Sequence, residues 1–261
     1  MMRSTNPALN AKVFNNARSF GVGEPMTIQG TVNKSFILVF LLLLSASWVW
    51  NKAFQSTAMG VESYGLETAT SLVNVSPFIF GGLIAGLVFA MITIFKKEWA
   101  GVTAPAYALC EGLALGGISA YYEAQFNGIV FQAVALTSGT LICLLMAYKS
   151  GLIKATENFK LGIVAATGSI CLLYIVNMIM GFFGGSIPLI HSNGTFGIIF
   201  SLVVVTIAAL NLVIDFDFIE QGAEMKVPKY MEWYGAFGLM VTLVWLYLEI
   251  LRLLAKLNSR R

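Results

Sequence analysis

Apolar residues fill seven long stretches of this chain, and short polar segments separate them. Within each stretch the apolar residues cover all helix faces, which is typical of a helix surrounded by lipid or protein. Each stretch is close to the roughly 20 residues that a helix needs to cross hydrocarbon, where unpaired backbone groups are not tolerated. The sequence therefore predicts seven transmembrane helices, over residues 35–50, 77–95, 102–122, 128–148, 161–183, 195–214 and 233–257.

The composition agrees with an integral membrane protein. Of the 261 residues, 57% are hydrophobic and 11% are charged, and the mean hydropathy is +0.79. A soluble domain has about 25% charged residues. We expect an all-α membrane protein with a polar cytosolic tail over 1–34, one membrane domain over 35–257 and a short basic tail over 258–261. The net charge of +3 and the lack of a separate basic block argue against nucleic-acid binding.

The Lys and Arg residues predict the orientation in the membrane. Eleven lie in the N-terminal tail and in the loops on the same side, whereas the opposite loops hold only Lys52. Cytosolic loops are rich in Lys and Arg, so we expect a cytosolic N-terminus. Arg252, Lys256, Arg260 and Arg261 conflict with this orientation if all seven stretches cross. Either seven spans outweigh these late charges or the last segment is re-entrant, and its length favours seven spans.

Carboxylates lie inside or at the edge of three stretches. A charge at membrane depth costs roughly 2.5–3.5 kcal/mol on insertion scales and commonly marks an ion or proton path. Glu111 lies in the middle of the third stretch with no cation within one turn, so we expect it to be protonated or held by a donor on a neighbouring helix. Asp215 and Asp217 close the sixth stretch, and Asn211 shares a helix face with Asp215. Alternatively, the two aspartates sit in the headgroup layer beyond the sixth helix, which we favour for Asp217.

The seventh stretch carries one polar stripe. Its members follow each other at steps of three and four residues: Thr242, Trp245, Glu249, Arg252 and Lys256. Glu249 is either part of an ion path or the partner of Arg252 in an ordinary ion pair at i,i+3. The sequence leaves both interpretations open.

No motif of an enzyme or of a cofactor site is present. A single histidine, His191, cannot supply a His-rich zinc site, and the three cysteines lie apart inside apolar stretches. The chain lacks a nucleophile elbow, a phosphate-binding loop and a dinucleotide fingerprint. We therefore expect no catalytic activity, no metal centre and no cofactor.

Three segments resemble motifs of the transmembrane Bax-inhibitor-motif (YccA-like) family, in its bacterial branch. They are EGLALGGIS at 111–119, NLVID at 211–215 and LYLEILR at 246–252. The resemblance also covers the number and order of the spans over about 30–257. It implies a multi-pass protein of the bacterial inner membrane whose seventh helix is central and wrapped by the other six.

The resemblance also implies a function. Family members characterised as calcium leaks carry two aspartates, one ending the sixth span and one in the seventh, that form a pH-sensitive latch. Asp215 matches the first. Depending on the alignment, Glu249 or Thr242 occupies the second position; these two residues lie about 10.5 Å apart along the helix.

Two hypotheses follow. In the first, the protein is a pH-sensitive leak for calcium or another cation, in which Asp215, Glu249 and Glu111 attract the ion. Two nearby carboxylates share a proton at low pH, and loss of that proton opens the path. In the second, the protein transports nothing and regulates a membrane-anchored protease or another membrane partner. Its contact surfaces are then the N-terminal tail and two small-residue stripes, although packing between helices of the bundle is the interpretation that we favour for the stripes. The stripes are Gly82, Gly86 and Ala90 in the second stretch and Ala108, Gly112, Gly116 and Ala120 in the third.

Overall fold

The structure is a computed structural model, and it describes residues 24–61, 75–185 and 194–260. It contains seven long helices: α1 (Ile28–Val61), α2 (Ser76–Phe95), α3 (Ala100–Gln125), α4 (Ile129–Lys149), α5 (Glu157–Phe182), α6 (Thr195–Glu224) and α7 (Met231–Asn258). A 3-10 turn, Lys97–Trp99, joins α2 to α3. Within the described ranges, β-type pairing is limited to one bridge between Pro25 and Pro228. The predicted tail up to residue 23, His191 and Arg261 lie outside the described residues.

The helices extend beyond the apolar stretches that predicted them. α1 begins at Ile28, seven residues before its stretch, and α6 continues to Glu224, ten residues past its stretch. Once a helix has formed, each further residue adds a backbone hydrogen bond, so polar flanks continue it. Asp215 and Asp217 consequently lie inside α6, and the interpretation that placed them beyond the sixth helix is wrong.

Six of the seven helices are long and apolar enough to cross a membrane, and α3 is the exception in the described part of the chain. α3 contains Glu111 together with many small and hydroxylated residues, which lower its hydropathy. Half of its residues, 13 of 26, are buried. The close contacts of α3 with α1 and α2 select small residues such as glycine and alanine in place of large aliphatic ones, which contributes to its lower hydropathy.

The described helices divide between two compact units. The α1–α3 unit comprises residues 29–130 and 230–237, and the α4–α7 unit comprises the residues before 29, 131–229 and 238–261.

Close backbone contacts hold the α1–α3 unit together. A Cβ atom at Gly112 would lie 2.0 Å from Ser45 Oγ and 2.3 Å from the Leu42 carbonyl oxygen. At Gly116 a Cβ would lie 2.4 Å from the Ala46 carbonyl oxygen. Only glycine fits at such distances, so α1 and α3 touch through their backbones. The small-residue stripe of the third stretch therefore serves helix packing, as the sequence predicted.

Polar side chains connect the helices of the α4–α7 unit. Asn211 on α6 donates to Thr167 on α5 over 2.9 Å. Near the start of α5, the Lys160 amine lies 2.6 Å from an Asp217 carboxylate oxygen on α6. Among the six candidate spans, α7 and α6 are the most buried: 56% and 44% of the residues in their apolar 18-residue segments are buried, against 11–22% in the others.

The segment before α1 is attached to the connection between α6 and α7. The Met26 N–H donates to the Val227 carbonyl over 2.7 Å, and the Lys229 N–H donates to the Glu24 carbonyl over 3.1 Å. The side chains of Glu24 and Lys229 also form an ion pair. Residues 24–27 therefore form a short strap, which we call the N-terminal strap.

Candidate functional site

Asp215 is almost completely buried inside α6. Its exposed fraction is 1%, and that of Asn211, one turn earlier on the same face, is 5%. The Asn211 side-chain amide donates to Thr167 Oγ1 over 2.9 Å and to the Ile207 carbonyl over 2.8 Å. The predicted residues Asn211 and Asp215 therefore share a buried helix face, and Asn211 reaches α5.

Asp217 has a different environment from Asp215. Besides the ion pair with Lys160, it accepts a hydrogen bond from Gln221 Nε2 over 2.5 Å. Lys160 is itself 4% exposed. The two charges compensate each other, and without Asp217 the buried Lys160 would keep only the more distant carboxylate of Glu157, at 4.0 Å.

Glu249 is the centre of a buried polar cluster on α7. Its carboxylate accepts two hydrogen bonds from Arg252 Nη1, both of 2.9 Å, and one from the Tyr174 hydroxyl of 3.0 Å. Trp245 Nε1 also donates to it, over 3.3 Å, and Arg252 Nη1 donates to the Tyr174 oxygen over 2.7 Å. Asp215 is not among these partners.

The cluster bears on both interpretations of Glu249. The i,i+3 ion pair with Arg252 is present. It is not an ordinary surface pair, because the Glu249 side chain is 3% exposed while that of Arg252 is 36% exposed. The carboxylate is inside the protein and only the cation reaches its surface.

The other two predicted residues of the stripe bond to nearby backbone or hydroxyl groups. Thr242 is buried, and its hydroxyl donates to the Gly238 carbonyl one turn earlier, over 3.3 Å. The Lys256 amine is also buried and donates to the Gly197 carbonyl over 3.1 Å and to Ser201 Oγ over 2.9 Å. Lys256 therefore connects the end of α7 to the beginning of α6.

Glu111 lies in the α1–α3 unit with an exposed fraction of 8%. The Tyr107 hydroxyl, one turn earlier on α3, is hydrogen-bonded to its carboxyl group. A Cβ at Gly86 on α2 would lie 3.1 Å from Glu111 Oε2, so the glycine leaves room for the carboxyl group. The donor that the sequence placed on a neighbouring helix is thus on α3 itself.

A further buried acid, Glu232, was not singled out in the sequence. It is 1% exposed at the start of α7 and forms an ion pair with Lys34 of α1. Gly30, one turn before Lys34, would clash with Glu232 if it carried a Cβ atom. Glu232 and Lys34 each lie directly before an apolar stretch, where polar residues are usually solvated. The sequence therefore gives no signal that these two residues pair.

Two tyrosines were also missed, although one was detectable. Tyr107 precedes Glu111 by four residues and so shares its helix face. Tyr174 lies in an apolar stretch far from Glu249 in sequence, and only the packing of α5 against α7 brings them together.

Two groups outside the spans have shifted pKa values. Burial lowers the pKa of Lys97, in the 3-10 turn between α2 and α3, and raises the pKa of Tyr230, in the connection between α6 and α7.

A cavity of about 370 Å³ lies beside the Glu249 cluster. Tyr174 and Trp245 form part of its wall together with Thr167, Ile170, Cys171, Ile175 and Met178. In the described part of the chain no group of three or more His, Cys, Asp or Glu side chains could hold a metal ion.

Long apolar helices together with buried, mutually bonded ionisable side chains define a multi-pass membrane protein. A family model described as Bax inhibitor 1 like matches residues 6–259, so the chain belongs to the Bax inhibitor 1 like family. The resemblance inferred from the three motifs is thereby confirmed. Neither a curated protein nor a solved structure gives a significant match.

Proposed function

We propose that the protein is a pH-modulated leak for calcium or another cation, in which Asp215 is the residue whose charge controls the path. The observation that carries the proposal is the 1% exposure of this carboxylate within a helix apolar enough to cross a membrane. Keeping a carboxylate at such a place is costly, and ionisable groups inside membrane segments commonly serve ion or proton movement. Glu111, which faces a neutral tyrosine hydroxyl, is the second acid we assign to the path.

The acids that are paired with cations suit this role less. Asp217, Glu232 and Glu249 each form an ion pair with a Lys or an Arg. The charge of such a carboxylate is already compensated by its basic partner, so it attracts a passing cation less than an acid with a neutral neighbour, such as Glu111, does.

The pairing of Glu249 also bears on the latch implied by the family resemblance. Glu249 is engaged by Arg252, Tyr174 and Trp245, and Thr242 carries no charge and bonds to its own helix. Neither Glu249 nor Thr242 is therefore suited to be the second carboxylate of the latch. We therefore propose that the pH response involves Asp215 and does not use Glu249 as the second carboxylate of the latch.

We further propose the arrangement and orientation of the helices. The high burial of α7 supports a central position for this helix, wrapped by the other six. The distribution of Lys and Arg supports a cytosolic N-terminus in a bacterial inner membrane. Two of the conflicting late charges, Arg252 and Lys256, are bonded to protein groups rather than exposed in a loop, which supports seven spans over a re-entrant last segment.

The Asp215→Asn variant tests the role of Asp215. Protein in calcium-loaded liposomes should release calcium faster as the pH rises, because the carboxyl group loses its proton and attracts cations. The asparagine cannot ionise, so we expect release at high pH to fall about tenfold and to become independent of pH. The measurement is dye-detected calcium release between acidic and slightly basic pH.

Glu220→Gln is the matched control, since Glu220 is an exposed carboxylate on the same helix. It should keep the wild-type pH profile. An Asp215→Asn profile that follows the wild type would remove Asp215 from the path, and with it this proposal.

Regulation of a membrane-anchored protease remains the alternative. The N-terminal strap supports it, because residues 24–27 are bonded to the α6–α7 connection, so that the chain enters α1 from a fixed place at one end of α6. The close contacts of Gly112 and Gly116 speak against the small-residue stripe of α3 as a partner surface, because α1 already covers it.

Deletion of residues 1–23 distinguishes the two functions, because it leaves the strap and all seven helices in place. A leak should keep its calcium release after the deletion. A regulator should lose its protease partner in a pull-down from native membranes. Loss of calcium release with an intact helical fold would instead assign the leak itself to the tail.

A further inference from the structure

The cavity beside the Glu249 cluster is an open apolar groove between α5 and α7. Its walls are mainly aliphatic, and three of its lining residues, Cys171, Ile175 and Met178, are exposed at its surface. Its volume of about 370 Å³ falls within the range of roughly 300–1,000 Å³ that small-molecule sites occupy. A groove of this kind within a membrane-crossing helix pair fits a hydrocarbon chain.

A basic group adjoins the groove. The Arg252 guanidinium carbon lies 5.3 Å from the centroid of the Tyr174 ring, which lines the groove, and its Nη1 donates to the Tyr174 hydroxyl. The Arg252 side chain is 36% exposed, whereas its counter-ion Glu249 is 3% exposed. The Glu249 carboxylate is thus inside the protein, and the Arg252 guanidinium lies between it and the surface.

The surrounding sequence leaves an excess of positive charge at this place. From Glu249 to Arg260, α7 and its end carry Glu249, Arg252, Lys256 and Arg260. The facing parts of α5, over 161–182, and of α6, over 195–214, contain no charged residue. One carboxylate therefore stands against three cations, which favours an anionic group over a neutral or cationic one.

The depth of Arg252 suits a lipid headgroup. α7 has 28 residues and is therefore about 42 Å long, which exceeds the roughly 30 Å of hydrocarbon in a bilayer. Arg252 lies six residues from the end of the helix, or about 9 Å, and long basic side chains reach toward the interface from such positions.

We infer that this groove binds an anionic phospholipid, with an acyl chain along Ile170, Cys171 and Ile175 and the phosphate at Arg252. Arg is well suited to the phosphate because its planar guanidinium offers several donors in fixed directions. The Tyr174 hydroxyl and the buried Glu249 hold the guanidinium in place for the lipid.

Trp245 provides a reporter inside the groove. Protein in phosphatidylcholine vesicles receives a small fraction of brominated phosphatidylglycerol or, in parallel, brominated phosphatidylcholine, and both quench nearby tryptophan. We expect the anionic lipid to quench more at an equal fraction, with about fivefold preferential occupancy for one basic side chain at an anionic headgroup. The excess quenching should vanish in Trp245→Phe. Equal quenching by the two lipids, or an excess that survives in Trp245→Phe, would overturn the site.

The role of the Arg252 charge is tested with variants that do not leave the buried Glu249 carboxylate without its counter-ion. Glu249→Gln keeps Arg252 and should keep the excess quenching, whereas Glu249→Gln/Arg252→Gln should lose it. Both variants lack the Glu249 charge, so their difference isolates the cation. If the double variant keeps the excess, Arg252 does not bind the headgroup and the proposal is wrong.

The groove is tested with two exposed cysteines. Cys171 lines the groove, and Cys143 lies exposed on α4 away from its lining. Cys171→Phe should displace the acyl chain and lower the excess quenching, while Cys143→Phe should leave it unchanged. Unchanged quenching in Cys171→Phe would refute the chain position. If a higher protein-to-lipid ratio shields Trp245 from both lipids, a second copy of the chain occupies the groove instead.

Discussion

Replacing Arg252 by glutamine is expected to lower the free energy of unfolding by about 3–5 kcal/mol, the loss typical when one partner of a buried ion pair is removed. The reason is the difference in burial within the pair: the Glu249 side chain is 3% exposed and cannot reach water when its cation is lost. The free energy of unfolding is measured by steric trapping or by reversible denaturation in mixed micelles.

The same asymmetry predicts the outcomes of the related variants. Glu249→Gln should cost clearly less than Arg252→Gln, because the Arg252 side chain is 36% exposed and can be solvated. The double variant Glu249→Gln/Arg252→Gln should be more stable than Arg252→Gln alone, which a double-mutant cycle measures as a coupling energy. Arg260→Gln, at an exposed position, is the control and should change little. Equal losses in the two single variants would show that Glu249 is not buried as described.

Replacing Gly112 by valine is expected to separate α1 from α3. A Cβ at this position would lie 2.3 Å from the Leu42 carbonyl oxygen, which belongs to the backbone and cannot rotate away. Overpacking typically lowers the free energy of unfolding by about 1–3 kcal/mol and occasionally by more. Because the clash is with backbone, we expect the loss in Gly112→Val to be about 3 kcal/mol or more. Unfolding in mixed micelles measures the loss.

Gly139→Val is the matched control, because Gly139 lies in the middle of α4 and a Cβ there would have nothing within 4 Å. Both substitutions raise helix propensity by a similar amount, so their difference reports the contact of α3 with α1. A Gly112→Val protein as stable as Gly139→Val would show that the two helices do not touch there.

The structure shows which of the acids are paired with a basic side chain. The sequence alone identifies Asp215, Glu249 and Glu111 as the acids that attract a cation. In the structure Asp217 and Glu249 are neutralised by Lys160 and Arg252. Glu111 differs from them, because its carboxyl group is hydrogen-bonded to the neutral Tyr107 hydroxyl.

The helix boundaries show where sequence patterns are informative and where they are not. The apolar stretches correctly predict the number and order of the long helices in the described part of the chain, because hydrocarbon requires about 20 apolar residues per span. They do not predict the polar ends of α1 and α6, where the helix continues after the apolar stretch has ended. The sequence thus placed Asp217 beyond a helix that actually contains it.

The sequence by itself determined the class of the protein, its seven helices, its family motifs and the small-residue packing of α3. These features follow from local composition and spacing, because lipid selects apolar helices and close helix contacts select small side chains. It also showed that Glu249 and Arg252 are close enough to pair, since they are three residues apart on one helix.

The tertiary structure alone decided which groups surround each acid. The partners of Glu249, Asp217 and Glu232 include residues more than 50 positions away in the chain, namely Tyr174, Lys160 and Lys34. No local pattern specifies such contacts, because they depend on which helix faces meet when the chain folds. Burial has the same origin, and pairing with a basic side chain, not burial, distinguishes Glu249 from Glu111, whose carboxyl group is hydrogen-bonded to Tyr107.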